Sequence, residues 1–237
     1  MDEMSKRKSI KLYFEKFPVL ALVLIILGVF TLTIYIGVII IAIGIYLWYK
    51  WLKSKPTDTQ YDEWVKEDLA SLNKIALQKL GVDESSLVRD GVSITGINFW
   101  DVATSMIKYK KGKDSKVRYT PIAVDVINFG KDQLMIYECI LDILTGNKSN
   151  EKTEEFFYKD VVSVSTKTDP AKQFTLGKIV YKMDKAEKFV LTTSGGTSVS
   201  VVLRDEELMK KIGDFAASGA EQAIQSIRTM LRDKKSN

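Results

Sequence analysis

Between Pro18 and Tyr49 the chain runs for 32 residues, PVLALVLIILGVFTLTIYIGVIIIAIGIYLWY, without one charged side chain. As a single helix at ~1.5 Å per residue it would be about 48 Å long, against a bilayer hydrocarbon core of roughly 30 Å. One span of that length must tilt steeply, which hydrophobic mismatch tolerates poorly. Two arms fit better, with a reversal near residues 31–36, where Thr31, Thr33 and Gly37 form the least apolar part of the run. Each arm is short and borrows interfacial residues: Tyr13, Phe14 and Phe17 before the run, Trp48, Tyr49, Trp51 and Leu52 at its end.

Charge agrees with a hairpin. Lys6, Arg7, Lys8, Lys11 and Lys16 precede the run, and Lys50, Lys53 and Lys55 follow it. The positive-inside bias marks both ends as cytoplasmic, which an even number of spans satisfies. The expected location is therefore the inner membrane, multi-pass, with both termini cytoplasmic. A cleaved signal peptide fits poorly, because the run is far longer than an h-region and no small-residue cleavage site precedes a polar start. A buried helical hairpin of a soluble protein is the blander alternative, disfavoured by an uncharged run of this length.

The whole-chain charge of +5 comes from this anchor. Residues 1–55 hold eight basic and three acidic residues, and the remainder, with 27 of each, is neutral. A nucleic-acid reader would carry its basic footprint on the folded domain, so no nucleic-acid partner is expected. The single Cys139 allows no intrachain disulfide and suits a reducing compartment. The absence of histidine removes Ser-His-Asp and Cys-His arrangements, the HExxH zinc helix and every other His-dependent metal site.

Residues 1–17 read as a basic, partly amphipathic lead-in, in which Ile10, Tyr13, Phe14 and Phe17 recur at helical spacing and run on towards the first span. After the hairpin (18–52), residues 53–59 form a linker: Pro56 ends one helix, and Thr57 or Thr59 caps the next. Residues 60–81 make an amphipathic helix with Tyr61, Leu69, Leu72 and Leu80 on one face and Gly81 suited to its left-handed end. That face serves either the domain that follows or a dimer interface. From Val92 to Leu203 the period changes to short β-rich runs, divided by KGKDS, FGKDQ, TGNKSNEKT, MDKAE and SGG. Within QLMIYECILDI the faces alternate Leu134/Ile136/Glu138/Ile140 against Met135/Tyr137/Cys139/Leu141, which places Cys139 among bulky apolar neighbours as a buried thiol. A last helix is expected from Asp205, its N-cap, to about Arg232, with Gly213 and Gly219 permitting close packing or a bend. The fold class is thus a membrane helical hairpin plus an α+β cytoplasmic domain, a small antiparallel β-barrel or sandwich with an amphipathic C-terminal helix.

The order of a two-span anchor, seven or eight strands and one C-terminal helix resembles bacterial membrane proteins with a pleckstrin-homology-like (PH/GRAM-type) domain over 92–232. The local resemblance lies in FFYKDVVSVSTKTD (156–169), in KFVLTTSGGTSVSVVLRDEELMKKIGDF and in the hairpin's IGVIIIAIGIYLWYK. It implies a binding scaffold. Fold relatives hold anionic headgroups on basic loops, and the nearest counterpart here is KYKKGKDSKVR, with Lys108, Lys110, Lys111, Lys113, Lys116 and Arg118 as candidate contacts to an anionic ligand or lipid. The bland reading of the same stretch is a solvated hairpin tip that discourages edge aggregation.

No catalytic, cofactor or metal site is assigned. SGGTS (194–198) lacks the GxxxxGK[ST] pattern and reads as a hairpin turn, and Asp125, Asp142 and Asp160 lack the spacing of a calcium loop. Two function classes follow, with an unrecognised enzyme behind them. One is a non-catalytic, membrane-anchored interaction module with a protein or lipid partner. The other is a membrane effector, in which a β-domain sensor drives self-association of the hairpin through Gly28, Gly37 and Gly44.

Overall fold

A computed structural model describes residues 2–15, 17–32, 35–169, 173–176, 179–183, 185–215 and 219–235. Lys16 and Thr33, both part of the expectations above, lie outside the described residues. The helices are α1 (Glu3–Phe14), α2 (Val19–Phe30), α3 (Ile36–Ser54), α4 (Asp58–Leu80), α5 (Glu206–Ile212) and α6 (Ala220–Lys235). The strands are β1 (Arg89–Gly96), β2 (Lys108–Lys111), β3 (Lys116–Thr120), β4 (Ile122–Phe129), β5 (Gln133–Leu141), β6 (Lys148–Phe157), β7 (Val161–Asp169), β8 (Phe174–Leu176), β9 (Ile179–Tyr181), β10 (Ala186–Thr193), β11 (Ser198–Asp205) and β12 (Asp214–Phe215). The chain divides within α4 into two units, Met1–Trp64 and Val65–Asn237.

In the first unit α2 and α3 form a helical hairpin. Small residues set their approach: Ala21, Gly28, Gly37 and Gly44 are buried, and a Cβ on Gly28 would stand 2.8 Å from the Gly37 carbonyl oxygen. A Cβ on Gly44 would stand 3.0 Å from the Ala21 carbonyl oxygen. The glycines expected to join separate chains therefore pack α2 against α3 within one chain. Everything around this seam points outward. Most of the exposed large hydrophobic residues among the described ones lie between Phe17 and Leu52, and Phe30 and Tyr35, at the far end, are 82% and 86% exposed.

One helix, Ile36–Ser54, is long and apolar enough to cross a membrane by itself; Glu3–Phe14 and Val19–Phe30 pass that test only jointly and are bent by 58°. The lead-in therefore does not continue straight into the hairpin. Pro18 lacks an N–H, and its ring disfavours helical torsions at Phe17, so the helix breaks there. Asp2 caps α1, accepting from the Ser5 amide at 3.0 Å. Ile10 and Tyr13 are fully buried, with Tyr13 stacked on Tyr61 at 4.7 Å and donating its hydroxyl to Asp58 at 2.7 Å. Thr57 and Gln60 form the reciprocal box that opens α4: the Gln60 amide donates to Thr57 Oγ1 at 3.2 Å, and the Thr57 amide donates to Gln60 Oε1 at 3.0 Å.

The second unit is an α+β assembly. β1, β4, β5 and β6 form a four-stranded antiparallel sheet in that order, and β7, β10 and β11 a three-stranded one. Their inner faces share a core with α6: Ile127, Phe129, Leu134 and Ile136 from the first, Phe189, Leu191, Val199 and Val201 from the second, Ala223 and Ile227 from the helix. A smaller cluster gathers Ile97, Phe99, Phe174, Met183 and Leu208 beside the β8–β9 hairpin and α5. β2 and β3 form a hairpin, and β12 joins β3 in parallel. The far half of α4 belongs to this unit, which answers the choice left open for its apolar face. Leu72 and Ala76 are buried, Ser93 donates to Asn73 at 3.0 Å, and Lys79 pairs with Glu151 at 3.4 Å. Gly81 takes φ +68° and the Val82 amide reaches back to the Leu77 carbonyl, a left-handed helix end as expected.

Three expectations need correction. Of the two forms expected for the β domain, the closed barrel is not seen among the described residues; the two main sheets are open, share one core and meet where Ile97 N donates to Val202 O at 2.8 Å. The single C-terminal helix is two, since Gly213 adopts φ +113° and Gly219 φ +70°, values that end a helix, although Asp205 does cap α5 by accepting from the Leu208 amide at 2.9 Å. Residues 148–153, read as part of a turn, are the first part of β6. Their Lys, Ser, Asn, Glu and Thr side chains carry little β signal, and pairing with the apolar β5 decides the matter.

Candidate functional site

The basic hairpin is built as its sequence implies, but its charge is partly used within it. Gly112 N donates to the Lys116 carbonyl at 2.8 Å to close the turn. The Arg118 guanidinium lies against Asp114 in a two-pronged pair of 2.9 and 3.0 Å, and only 4% of its side chain is exposed. That arginine holds the Asp114 carboxyl down at about 2. Register then divides the lysines. Lys110 stands opposite Arg118, whereas Lys111 stands opposite Val117 on the other face. Lys108, Lys111, Lys113 and Lys116 are exposed and Lys110 half-buried, so the six candidates share one hairpin but not one face.

A second site lies inside the β domain, where the inner face of the four-stranded sheet changes from apolar to acidic. Successive rungs read Phe129–Leu134, Ile127–Ile136 and then Asp125–Glu138 across β4 and β5. On β6 the register sets Glu154 opposite Ile136 and Lys152 opposite Glu138. Like charges directly opposite one another destabilise a strand pair, so Asp125–Glu138 is a conflict the fold retains at a cost. Asp125 is 4% exposed and its Oδ2 has no hydrogen-bond partner; Glu138 Oε1 and Glu154 Oε2 are likewise buried and unbonded. Lys152 offsets part of this charge from β6, 2.5 Å from Glu154 Oε1 and 3.9 Å from Glu138 Oε1. Burial, and next the Glu138 and Glu154 carboxylates, hold the Asp125 carboxyl well above the usual carboxylate range. Burial also raises Glu138, with Lys152 opposing and Glu154 assisting.

These groups border a cavity of about 420 Å³ whose wall includes Asn98, Trp100, Asp101, Asp125, Glu138 and Lys188. Asn98 Oδ1 is a further buried acceptor without a donor. Among the described residues no group of three or more acidic or cysteine side chains is arranged to hold a metal ion. Cys139, on the neighbouring rung position of β5, is buried, and burial pushes its thiol up to about 11, the inert thiol its alternation implies. Asp142 is occupied by its own turn, accepting from Thr120 Oγ1 and the Leu144 amide, and SGGTS turns the β10–β11 hairpin with Gly196 at φ +83°. One member of the acidic pair was visible in the sequence, as Glu138 alternating with Leu134, Ile136 and Ile140. The partner opposite it was not, because only the register of β4 and β5 supplies Asp125.

Asp125→Asn tests the cost of this arrangement. A carboxyl raised by folding stabilises the native state most below its unfolded value, 3.8, and that contribution is lost as pH rises through the raised native value. The variant therefore melts higher than wild type at pH 8, by roughly 2–4 °C for about 1 kcal/mol of relieved conflict, and the gain shrinks towards pH 4. Melting curves across that range check it; an unchanged or lower melting temperature at pH 8 removes the conflict from the account.

The chain matches no protein-family model, no curated protein and no solved structure at a significant level.

Proposed function

We propose that this protein is a membrane-anchored, non-catalytic binding module: a helical hairpin in the lipid carries a PH-like domain on the cytoplasmic face of an inner membrane. The observation that carries the reading is the outward, uncharged surface of the α2–α3 hairpin between Phe17 and Leu52, which water does not solvate and hydrocarbon does. Lysines flank the hairpin at both ends, so both ends sit on the side that the positive-inside bias selects. A PH-like identity is supported by the four-strand meander, the three-strand meander and the helix α6 on one shared core, with the β2–β3 and β8–β9 hairpins as insertions. The partner is a protein or an anionic lipid surface, met by the exposed lysines of the β2–β3 hairpin. An effector that oligomerises through Gly28, Gly37 and Gly44 is the weaker reading, since those glycines are used inside the hairpin.

Membrane fractionation with thiol labelling tests this. The full chain resists alkaline carbonate extraction. In whole cells a membrane-impermeant maleimide leaves Lys55→Cys unlabelled until the membrane is opened, and the buried Cys139 contributes little background. Release by carbonate, or labelling of Lys55→Cys from outside, would sink the anchored, inward-facing arrangement. Labelling of Tyr35→Cys from outside would show that the hairpin crosses the bilayer completely.

A further inference from the structure

We propose that the cavity beside Asp125 is a binding site for an organic cation, a guanidinium or primary ammonium group. The inference rests on reading the β domain as a binding module and names what that module holds. With Asp125 ionised, the unbonded buried groups at the cavity are all acceptors: Asp125 Oδ2, Glu138 Oε1 and Asn98 Oδ1 on the wall, with Glu154 Oε2 beside them. Their complement is a group that only donates, and guanidinium with five N–H bonds or ammonium with three has that property. The charge balance points the same way. The charged groups acting on Asp125 are Glu138 on β5 and Lys152 and Glu154 on β6, and Asp101 after β1 and Lys188 on β10 line the same cavity. With Asp125 ionised, four carboxylates face two ammonium groups, so one added cation still leaves the site anionic.

The size suits a small molecule. A cavity of about 420 Å³ lies within the usual range for small-molecule sites and far exceeds the ~30 Å³ of one water. Trp100 on the same wall adds an aromatic face of the kind that attracts cations. Without a bound cation, burial and next the Glu138 and Glu154 carboxylates favour the protonated form of Asp125. A bound cation takes over the role of that proton, which leaves to solvent. Binding therefore tightens as pH rises, up to about tenfold per unit while one proton is exchanged.

The test is titration calorimetry on the full chain in nanodiscs, with butylguanidinium and its neutral counterpart butylurea as probes. Butylguanidinium should bind with proton release while butylurea does not. Asp125→Asn should weaken butylguanidinium at least about tenfold, the scale of a lost charge-assisted hydrogen bond. Because the same variant is expected to melt no lower than wild type, loss of fold cannot account for loss of binding; Glu138→Gln serves as the second variant. Equal binding of butylurea, unchanged affinity in Asp125→Asn, or no binding of either probe would each overturn the proposal. A blocked peptide with one central arginine separates two sources of the same chemistry. Tighter binding than butylguanidinium places the cation on a protein partner, and exclusion of the peptide places it on a free small molecule. Conversion of the probe, followed by NMR, would overturn the non-catalytic reading and leave the cation site standing.

Discussion

Gly96→Ala should lower the melting temperature of the β domain by roughly 10 °C, about 2–4 kcal/mol. β1 ends at Gly96, and the chain passes directly over β11. A Cβ there would stand 2.2 Å from the Val202 carbonyl oxygen and 2.6 Å from Val201 Cγ2. The nearer atom is backbone, held on the other side by the β10–β11 ladder, so it cannot swing aside as a flexible side chain would. The strands must separate, and separation stretches the bond from Ile97 N to Val202 O that joins the two sheets. Overpacking of this kind costs about 1–3 kcal/mol, and the lost hydrogen bond adds about 1 kcal/mol. Ile97 and Asn98, which follow immediately, line the acidic cavity, so binding of butylguanidinium should weaken as well. Thermal melts of the purified chain decide the point: a variant melting within a degree or two of wild type would mean that the two sheets are not fixed at this corner.

A second large effect is expected in the hairpin. Gly37→Leu places a branched side chain where a Cβ alone would lie 2.3 Å from the Gly28 carbonyl oxygen and 2.6 Å from the Leu32 amide nitrogen. Both are backbone atoms of the facing arm and its turn, so α2 and α3 are pushed apart along their seam. In lipid no hydrophobic force draws the arms together again, because side chains and acyl tails are equally apolar; close packing is the main attraction, and the substitution removes it. The variant should accumulate poorly in the membrane fraction and aggregate on extraction. Val38→Leu, one residue on and 56% exposed, should behave as wild type. Quantitative blotting and size-exclusion chromatography separate the outcomes. If Gly37→Leu leaves a well-behaved monomer but dissolves a higher oligomer, the glycines act between chains and the effector reading gains.

Several parts of the structure are local and were legible in order along the chain. An uncharged run of 32 residues is too long for one span and folds back on itself, α2 against α3. Thr57 before Gln60, Asp205 before Leu208 and Gly81 after Leu80 set helix ends by short-range hydrogen bonds and torsional freedom, and each sits where its chemistry requires. The alternation in β5 put Leu134, Ile136, Glu138 and Ile140 on one face before any partner strand was known, although both faces are apolar and it did not say which turns to the core.

What the sequence could not determine depends on residues distant in the chain. The polar first part of β6 is a strand because β5 offers it a ladder, and the C-terminal segment breaks in two where Gly219 passes within 2.6 Å, at its would-be Cβ, of the Ser93 carbonyl oxygen. Arg118 looks like a free cation until the turn brings Asp114 onto it. The acidic cavity is the clearest case. Asp125 and Glu138 are thirteen residues apart and carry no motif, and only the register of β4 on β5, with a second sheet across the cavity, makes them neighbours. Periodicity assigns a side chain to a face; the tertiary fold alone decides what stands opposite, and electrostatic chemistry depends on that neighbour.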